Sequence, residues 1–154
     1  MLSVATIVDT ANDFAERATA RLATPLLFAF RGYVAWQFLK SGWVKLSDWD
    51  STLYLFQDEY HVPLLPPALA AVAGTAGEIV FPLLLLAGLG TRLAAVGLSA
   101  VNVMAVASYA HVLLGDGFEA ALGQHYLWGM LLLVVFVFGP GRWSLDAWLG
   151  RRRP

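Results

Sequence analysis

Long runs of apolar residues, each close to the length of a membrane span, dominate the chain. A helix rises about 1.5 Å per residue, so about 20 apolar residues cross the roughly 30 Å hydrocarbon core of a bilayer. The segments that come near this length are about Pro25–Leu46, Pro66–Gly88, Arg92–Leu114 and Gln124–Gly139. The pattern predicts an all-α integral membrane protein, an antiparallel four-helix bundle with short amphipathic helices at the membrane interface.

Two further segments mix apolar and polar residues at the spacing of a helix face. The first precedes the first span, and its apolar positions are Val4, Ile7, Val8, Ala11, Phe14, Ala18 and Leu22. The second, Ser47–Tyr60, carries an apolar and aromatic stripe. Both predict amphipathic helices on the membrane surface. The chain then divides into a surface helix over 1–23, a four-span domain over 24–146 and a basic cytoplasmic tail over 147–154.

The arginines gather on one side of this predicted topology. The side that holds both termini carries Arg17, Arg21, Arg92, Arg142, Arg151, Arg152 and Arg153. The opposite loops are rich in aspartate and glutamate and hold Lys45. Because short cytoplasmic loops are enriched in lysine and arginine, the pattern predicts a protein of the bacterial inner (plasma) membrane with both termini in the cytoplasm.

Composition supports a membrane location and excludes several kinds of chemistry. Hydrophobic residues make up 58% of the 154 residues and charged residues only 14%, against about 25% charged in a soluble domain. The net charge of -1, with scattered basic residues, gives no sign of nucleic-acid binding. The sequence has no cysteine, which excludes disulfides, thiolate metal sites and dithiol redox chemistry within the chain.

One carboxylate, Glu78, lies in the middle of the second predicted span, where a charge costs about 2.5–3.5 kcal/mol on insertion scales. It needs a partner, and the first span offers Arg31. Counting from the cytoplasmic ends places Arg31 about 9 Å and Glu78 about 15 Å deep, a difference that an arginine side chain can cover. Pro82 also frees the Glu78 carbonyl from its helical hydrogen bond. The sequence therefore predicts a buried Arg31–Glu78 ion pair.

This polar group has two interpretations. It is either a structural ion pair that fixes the register of the helices, or part of a site for a proton, a substrate or a quinone headgroup. Lys45, almost four helical turns after Arg31, faces the same side and extends the group toward the outer surface. Asn102 and Tyr109 lie seven residues apart on one face of the third span, and interhelical hydrogen bonds are predicted for both.

The three histidines, His61, His111 and His125, fall at the outer end of the predicted bundle. A short loop separates His111 from His125 and can bring them together. Imidazoles with nearby carboxylates bind copper or zinc, and two imidazoles can hold a haem. Their spacing matches no defined metal motif, and interfacial histidines that bond to water are the alternative.

Several short motifs together resemble the DoxX family of small four-span bacterial membrane proteins. In order, over roughly residues 26–148, they are Arg31, Gly42–Lys45, Val62–Pro63, Glu78, Gly88, Thr91–Arg92 and the closing Gly139–Asp146. The resemblance implies a membrane four-helix fold. It also implies redox partners, because the family is named for association with a terminal quinol oxidase, and related proteins are described in thiosulfate:quinone oxidoreductases. Other relatives occur beside metal-handling peptide systems.

Three functions remain open at this point. The chain is a non-catalytic accessory subunit of a membrane redox assembly, with or without a quinone site; a small transporter or metal-handling protein; or a quinone-dependent oxidoreductase in its own right. The sequence has neither cysteine nor a flavin or nucleotide motif, which favours the first function over the third. A quinone or a metal ion is the candidate cofactor. The expected partners are the lipid bilayer, another membrane or periplasmic protein of a redox complex, and a second copy of the chain.

Overall fold

A computed structural model describes the backbone of residues 4–150 and the side chains from residue 8 onward. Within this range the chain is helical and contains no strand. The helices are α1 (Val4–Ser47), α2 (Trp49–Asp58), α3 (Pro67–Ala87), α4 (Thr91–Ser108), α5 (Ala110–Leu113), α6 (Glu119–Phe138) and α7 (Leu145–Gly150). The all-helical prediction is confirmed. Leu2 and the arginines at 151–153, which belong to the predicted surface helix and basic tail, lie outside the described residues.

The first helix is longer than the sequence predicts. A boundary near residues 23–24 was expected between a surface helix and the first span, but α1 is one helix of 44 residues with Pro25 inside it. Alanine, arginine and leucine, all strong helix formers, precede the proline and carry the helix through it. Residues 8–23 are almost entirely exposed, including Phe14 and Leu22. An association of this segment with a membrane surface stays a prediction.

Three helices are long and apolar enough to cross a membrane: Pro67–Ala87, Thr91–Ser108 and Glu119–Phe138. The second half of α1 does not reach the same hydropathy, because its apolar residues are interrupted by Arg31, Lys40 and Lys45. On the three spans, large apolar side chains point outward, among them Leu93, Met130 and Phe138. Exposed apolar surface of this extent is typical of helices surrounded by lipid.

One buried cluster holds α1, α3, α4 and α6 together. Its members are Val34, Ala35, Phe38, Leu85, Ala94, Ala95, Leu98, Leu132 and Val135. Phe38 also meets Trp128 of α6 edge-on, with ring centroids 5.4 Å apart. Since α1 supplies three members of this cluster, its second half is an integral part of the packed core although it is the most polar of the four helices.

A second, smaller cluster joins α2 to the start of α3. Phe56 is buried against Ala70 and Ala71, with Trp49, Leu53, Tyr60 and Val62 packed around them. The Asp48 side chain caps α2 by accepting a hydrogen bond from the Ser51 amide. The predicted helix within Ser47–Tyr60 is therefore present as Trp49–Asp58. We refer to this end of the molecule as the α2 end, and to the opposite end, with the Gly88–Gly90 turn and α7, as the α7 end.

Two predicted spans differ from the observed helices at their ends. The span predicted at Arg92–Leu114 is interrupted at Tyr109, where α4 stops and α5 begins. The interruption has a local cause, because the Ser108 carbonyl accepts a hydrogen bond from the amide of His61 instead of continuing the helical pattern. The span predicted at Gln124–Gly139 begins five residues earlier, at Glu119.

Glycines allow α3 and α4 to approach each other closely. A Cβ atom at Gly77 would lie 2.7 Å from Cγ2 of Val101, and one at Gly97 would overlap the ring of Phe81. Small residues at such positions let helix backbones pack in contact in membranes. The position of the Phe81 ring therefore depends on the absence of a side chain at residue 97.

We expect the substitution Gly97→Ala to destabilise the protein by about 1 kcal/mol, the low end of the range for overpacking, because residue 97 and the Phe81 ring both border open space. The added methyl group would push the Phe81 ring away from α4. Gly123→Ala on α6 is the matched control, since a Cβ there meets nothing within 4 Å and alanine favours the helix. Thermal unfolding in lipid nanodiscs measures both variants, and equal melting temperatures would contradict the prediction.

Candidate functional site

A cavity of about 510 Å³ opens among α1, α2, α3, α4 and α6 in the half of the molecule toward the α2 end. Its walls are mostly apolar and include the rings of Phe38, Phe56, Phe81 and Trp128. The volume falls within the range of small-molecule sites in proteins, about 300–1,000 Å³. The few polar groups on its wall therefore decide what the cavity can hold.

Lys45 of α1 and Glu78 of α3 form an ion pair on the cavity wall. The Lys45 ammonium lies 2.7 Å from Oε2 and 2.9 Å from Oε1 of Glu78, and it also donates to Oγ of Ser41 at 2.9 Å. Both side chains are largely buried, with 15% and 9% of their surface exposed. The ammonium group thus has three acceptors around it, and the pair adds no net charge to the cavity.

The predicted Arg31–Glu78 ion pair is wrong, because the two helices pack in a different register from the one expected. Gly42 of α1 lies beside α3 at the level of Glu78: a Cβ there would be 3.1 Å from Cβ of Glu78 and 2.7 Å from Cδ1 of Ile79. Gly42 is eleven residues beyond Arg31, or about 16 Å along the helix. Lys45, one turn further, is therefore the cation within reach of Glu78.

Arg31 instead fastens three segments at the α7 end. Its side chain is fully buried, and the guanidinium donates to the carbonyls of Leu85, at 3.2 Å, and Trp143. The Phe28 ring lies against it, with the guanidinium carbon 5.6 Å from the ring centroid. Gly88 is close enough that a Cβ there would overlap Nη1 of Arg31 and Ser144. The structure thus separates the two charges that the sequence had paired.

The segment that follows α6 is held to the turn between α3 and α4 by Asp146. Its carboxylate accepts hydrogen bonds from the amides of Gly90 and Thr91, at 2.8 and 2.9 Å, and from the Thr91 hydroxyl at 2.8 Å. The Asp146 amide in turn donates to the Gly88 carbonyl. The first amides of a helix have no partner within the helix, and Gly90, the residue before α4, has no side chain that could accept from them. Asp146 provides the acceptor instead. Ser144 caps the last helix, because its hydroxyl accepts a hydrogen bond from the Ala147 amide.

These contacts make Asp146 sensitive to acid. Burial favours the protonated carboxyl, but the hydrogen bonds from Thr91 and Gly90 and the charge of Arg31 outweigh burial and lower the pKa of Asp146 below its ordinary value. The stabilisation is therefore fully present above the ordinary carboxyl pKa, and it is lost as the pH falls through the lower, folded-state pKa.

For Asp146→Asn we expect a loss of about 1 kcal/mol at neutral pH, as when a helix cap is removed, and a smaller further loss on acidification than in the original protein. Unfolding measured across the acidic range tests both statements. Asp58→Asn, at an exposed carboxylate, is the control. An Asp146→Asn protein as acid-sensitive as the original would contradict the assignment.

Asn102 and His125 form a closed pair between α4 and α6. The Asn102 side-chain amide donates to the His125 carbonyl at 2.9 Å, so its oxygen faces Nδ1 of His125, 2.8 Å away. Nδ1 therefore carries the proton of this hydrogen bond. The interhelical hydrogen bond predicted for Asn102 is confirmed. His125 lines the cavity and packs its ring edge-on against Trp128, with centroids 4.8 Å apart.

The three histidines do not form the common metal site that was considered. His61 and His111 lie together, with ring centroids 4.5 Å apart, whereas His125 bonds to Asn102. Among the residues that the structure describes, no group of three histidine, aspartate or glutamate side chains is placed to hold a metal ion. The described contacts of His111 are with His61, from the connection between α2 and α3, and with Tyr109, so the approach of His111 to His125 stays a prediction.

Tyr60 and Tyr109 line the cavity on the side of these two histidines. Their rings meet edge-on at 5.4 Å, and Tyr109 also contacts the His111 ring. Burial, followed by the neighbouring Tyr109 and the carboxylates of Glu78 and Glu59, raises the pKa of Tyr60. Its hydroxyl therefore stays protonated and uncharged at neutral pH. An interhelical hydrogen bond was predicted for Tyr109, but the described contacts of its side chain are ring contacts with Tyr60 and His111.

Sequence reasoning found the charged members of the site but missed three of its contacts. Ser41 lies one turn before Lys45 and shares its face, a spacing that already indicates contact. Asp146 was noted only within a closing motif, and nothing local to it points to the turn between α3 and α4. The pairing of Asn102 with His125 joins residues from separate helices, so neither helix reveals it alone.

Comparison with known proteins gave one match. The family model for DoxX matches residues 26–112, which is more than half of the chain. This range contains Arg31, Lys45, Glu78 and Asn102, and it ends before His125. The closing Gly139–Asp146 motif lies beyond it. Neither the curated proteins nor the solved structures contained a match.

Proposed function

Because the chain belongs to the DoxX family, we propose that it is a non-catalytic subunit of a redox assembly in the bacterial inner membrane. The resemblance to proteins associated with quinol oxidases and thiosulfate:quinone oxidoreductases supports this role. The sequence lacks cysteine and nucleotide-binding motifs, so redox chemistry would be supplied by a partner. The membrane helices and the cavity are the part that this chain would contribute.

The proposed topology has four antiparallel spans, with the second half of α1 as the first and both termini in the cytoplasm. The second half of α1 carries more charged residues than the other proposed spans, which disfavours its placement in lipid. Two of these cations, however, have partners inside the bundle. Arg31 bonds to carbonyls of Leu85 and Trp143, and Lys45 pairs with Glu78. Buried, paired charges avoid most of the cost of exposure to lipid. A C-terminal reporter should be active in the cytoplasm, and activity confined to the periplasm would contradict this topology.

The cavity is the observation that carries the proposal. It combines apolar, aromatic walls with an internally neutralised ion pair, which suits an uncharged molecule that dissolves in lipid. A quinone is such a molecule. The cavity also borders α2, which presents Tyr54 and Leu55 to the surroundings. We place the redox partner against this helix, because a ligand in the cavity would then lie close to it.

Native mass spectrometry of the protein extracted gently from its own membranes tests the proposal. We expect a stoichiometric protein partner, together with a lipid-soluble molecule that is released on unfolding. A photo-crosslinker at Tyr54 should capture that partner, whereas one at Met130, an exposed position of α6, should capture lipid. A protein recovered without any partner, and with equal crosslinking at both positions, would contradict an accessory role.

A further inference from the structure

The polar groups of the cavity also indicate which chemical form of ligand it selects. Lys45 already has three acceptors, Oγ of Ser41 and the two oxygens of Glu78, and its charge is neutralised by the Glu78 carboxylate. An anionic ligand beside Lys45 would also lie beside Glu78 and be repelled by its negative charge. A cationic ligand would have to compete with Lys45 for Glu78. The cavity is therefore suited to an uncharged molecule.

His125 supplies the discriminating group. Its Nδ1 proton is donated to Oδ1 of Asn102. In the neutral imidazole Nε2 is therefore a hydrogen-bond acceptor. Among the described residues, Nε2 has no hydrogen-bond partner. A charged imidazolium would lack a counter-ion, because the cavity carboxylate Glu78 is already paired with Lys45. A ligand gains a hydrogen bond at Nε2 only if it carries a proton to donate.

From these observations we propose that the cavity binds an uncharged aromatic ring that bears a hydroxyl group, with the hydroxyl donating to Nε2 of His125. Phenols and hydroquinones share this chemistry. The rings of Phe38, Phe56 and Trp128 provide the edges and faces against which an aromatic ring packs. The hydroxyls of Tyr60 and Tyr109 can donate or accept, and the buried, unpartnered indole N–H of Trp128 can donate to the oxygen of a phenol or of its ether, so these groups do not discriminate between the two. The inference rests on the cavity being the ligand site of the proposed function.

Three probes of matched shape test the inference with the full chain in lipid nanodiscs. They are a para-alkylphenol, its methyl ether and the corresponding para-alkylbenzoate, each titrated by isothermal calorimetry against empty nanodiscs as blank. The ether lacks the hydroxyl proton of the phenol, and the benzoate carries a negative charge. We expect the phenol to bind about tenfold more tightly than the ether, the effect of one buried hydrogen bond. The benzoate should bind more weakly than both.

Two histidine variants locate the effect. In His125→Phe the phenol and the ether should bind with equal affinity, because the acceptor is gone. His111→Phe makes the same substitution outside the cavity lining and should keep the tenfold difference. An alkyl hydroquinone and its dimethyl ether, measured in the same way, show whether a second hydroxyl strengthens binding. The comparison of phenol with ether in the original protein needs no variant, so it stands even if His125→Phe folds poorly.

The outcomes separate this inference from the proposed function. Equal binding of phenol and ether by the original protein would overturn the hydroxyl preference and leave the cavity as a binding site. A preference that survives in His125→Phe, or tightest binding of the benzoate, would also overturn it. Failure of every probe to bind above the empty-disc blank would overturn both the inference and the assignment of the cavity as a ligand site.

Discussion

Glu78→Ala should destabilise the protein by about 3 kcal/mol, the low end of the range for breaking a buried ion pair. The loss leaves the Lys45 ammonium in the apolar interior with only Ser41 as an acceptor. Thermal or denaturant unfolding in nanodiscs measures this loss. Asp58→Ala removes an exposed carboxylate and should change stability by less than about 0.5 kcal/mol.

The paired substitution Lys45→Met with Glu78→Leu distinguishes a lost ion pair from a general defect at residue 78. Replacing both charges by apolar side chains of similar volume leaves no unpaired charge and should recover most of the stability. Adding Lys45→Met should therefore raise the stability of a Glu78 variant. A further loss on adding Lys45→Met would mean that the two residues act independently, contrary to the observed contacts.

Arg31→Ala should be comparably harmful, with a loss of about 3 kcal/mol from the vacated volume and the lost hydrogen bonds to the carbonyls of Leu85 and Trp143. It should also loosen the α7 end specifically. Hydrogen exchange of the Asp146 amide, which donates to the Gly88 carbonyl, is expected to accelerate in the variant while exchange within α4 and α6 stays slow.

Arg92 offers a matched control for Arg31. Its Nε also donates to a backbone carbonyl, that of Phe136, but at an exposed position. Arg92→Ala should therefore cost less than about 1 kcal/mol. Arg31→Lys keeps the positive charge but loses the planar guanidinium that donates to two carbonyls at once. We therefore expect its stability to lie between those of Arg31→Ala and the original protein. Equal effects of Arg31→Ala and Arg92→Ala would contradict the role assigned to the buried guanidinium.

The apolar pattern was sufficient to predict the helices, because lipid imposes both the length and the composition of a span. It was less reliable at helix ends. The sequence predicts a boundary at Pro25, but the residues before it favour a helix and α1 continues through it. The interruption at Tyr109 depends on a hydrogen bond from His61 in a distant segment. Boundaries of this kind are set by tertiary contacts that a single helix does not encode.

The ion pair leads to the same conclusion. The pattern of a single helix predicts which polar groups are buried, whereas the packing between helices determines which of them pair. The sequence correctly identified Arg31, Lys45 and Glu78 as buried or partly buried polar groups and placed Arg31 and Lys45 on one face of α1. The partner of Glu78 depends on the axial register of α1 against α3, which the contact of Gly42 with Ile79 fixes. Counting residues from assumed membrane boundaries placed Glu78 about 6 Å deeper than Arg31, whereas the packing places it about 16 Å further along, an error of about two helical turns.

The distance between Lys45 and Glu78 tests the central claim most directly. Solid-state NMR of the protein in lipid, with ¹³C-labelled glutamate and either ¹⁵N-labelled lysine or ¹⁵N-labelled arginine, measures the dipolar coupling of the Glu78 carboxyl carbon to the Lys45 ammonium nitrogen and to the Arg31 guanidinium nitrogens. Oxygens at 2.7 and 2.9 Å from the Lys45 nitrogen predict a strong coupling to it, absent in Lys45→Met. A strong coupling of the Glu78 carboxyl carbon to the Arg31 guanidinium, with none to Lys45, would contradict the account.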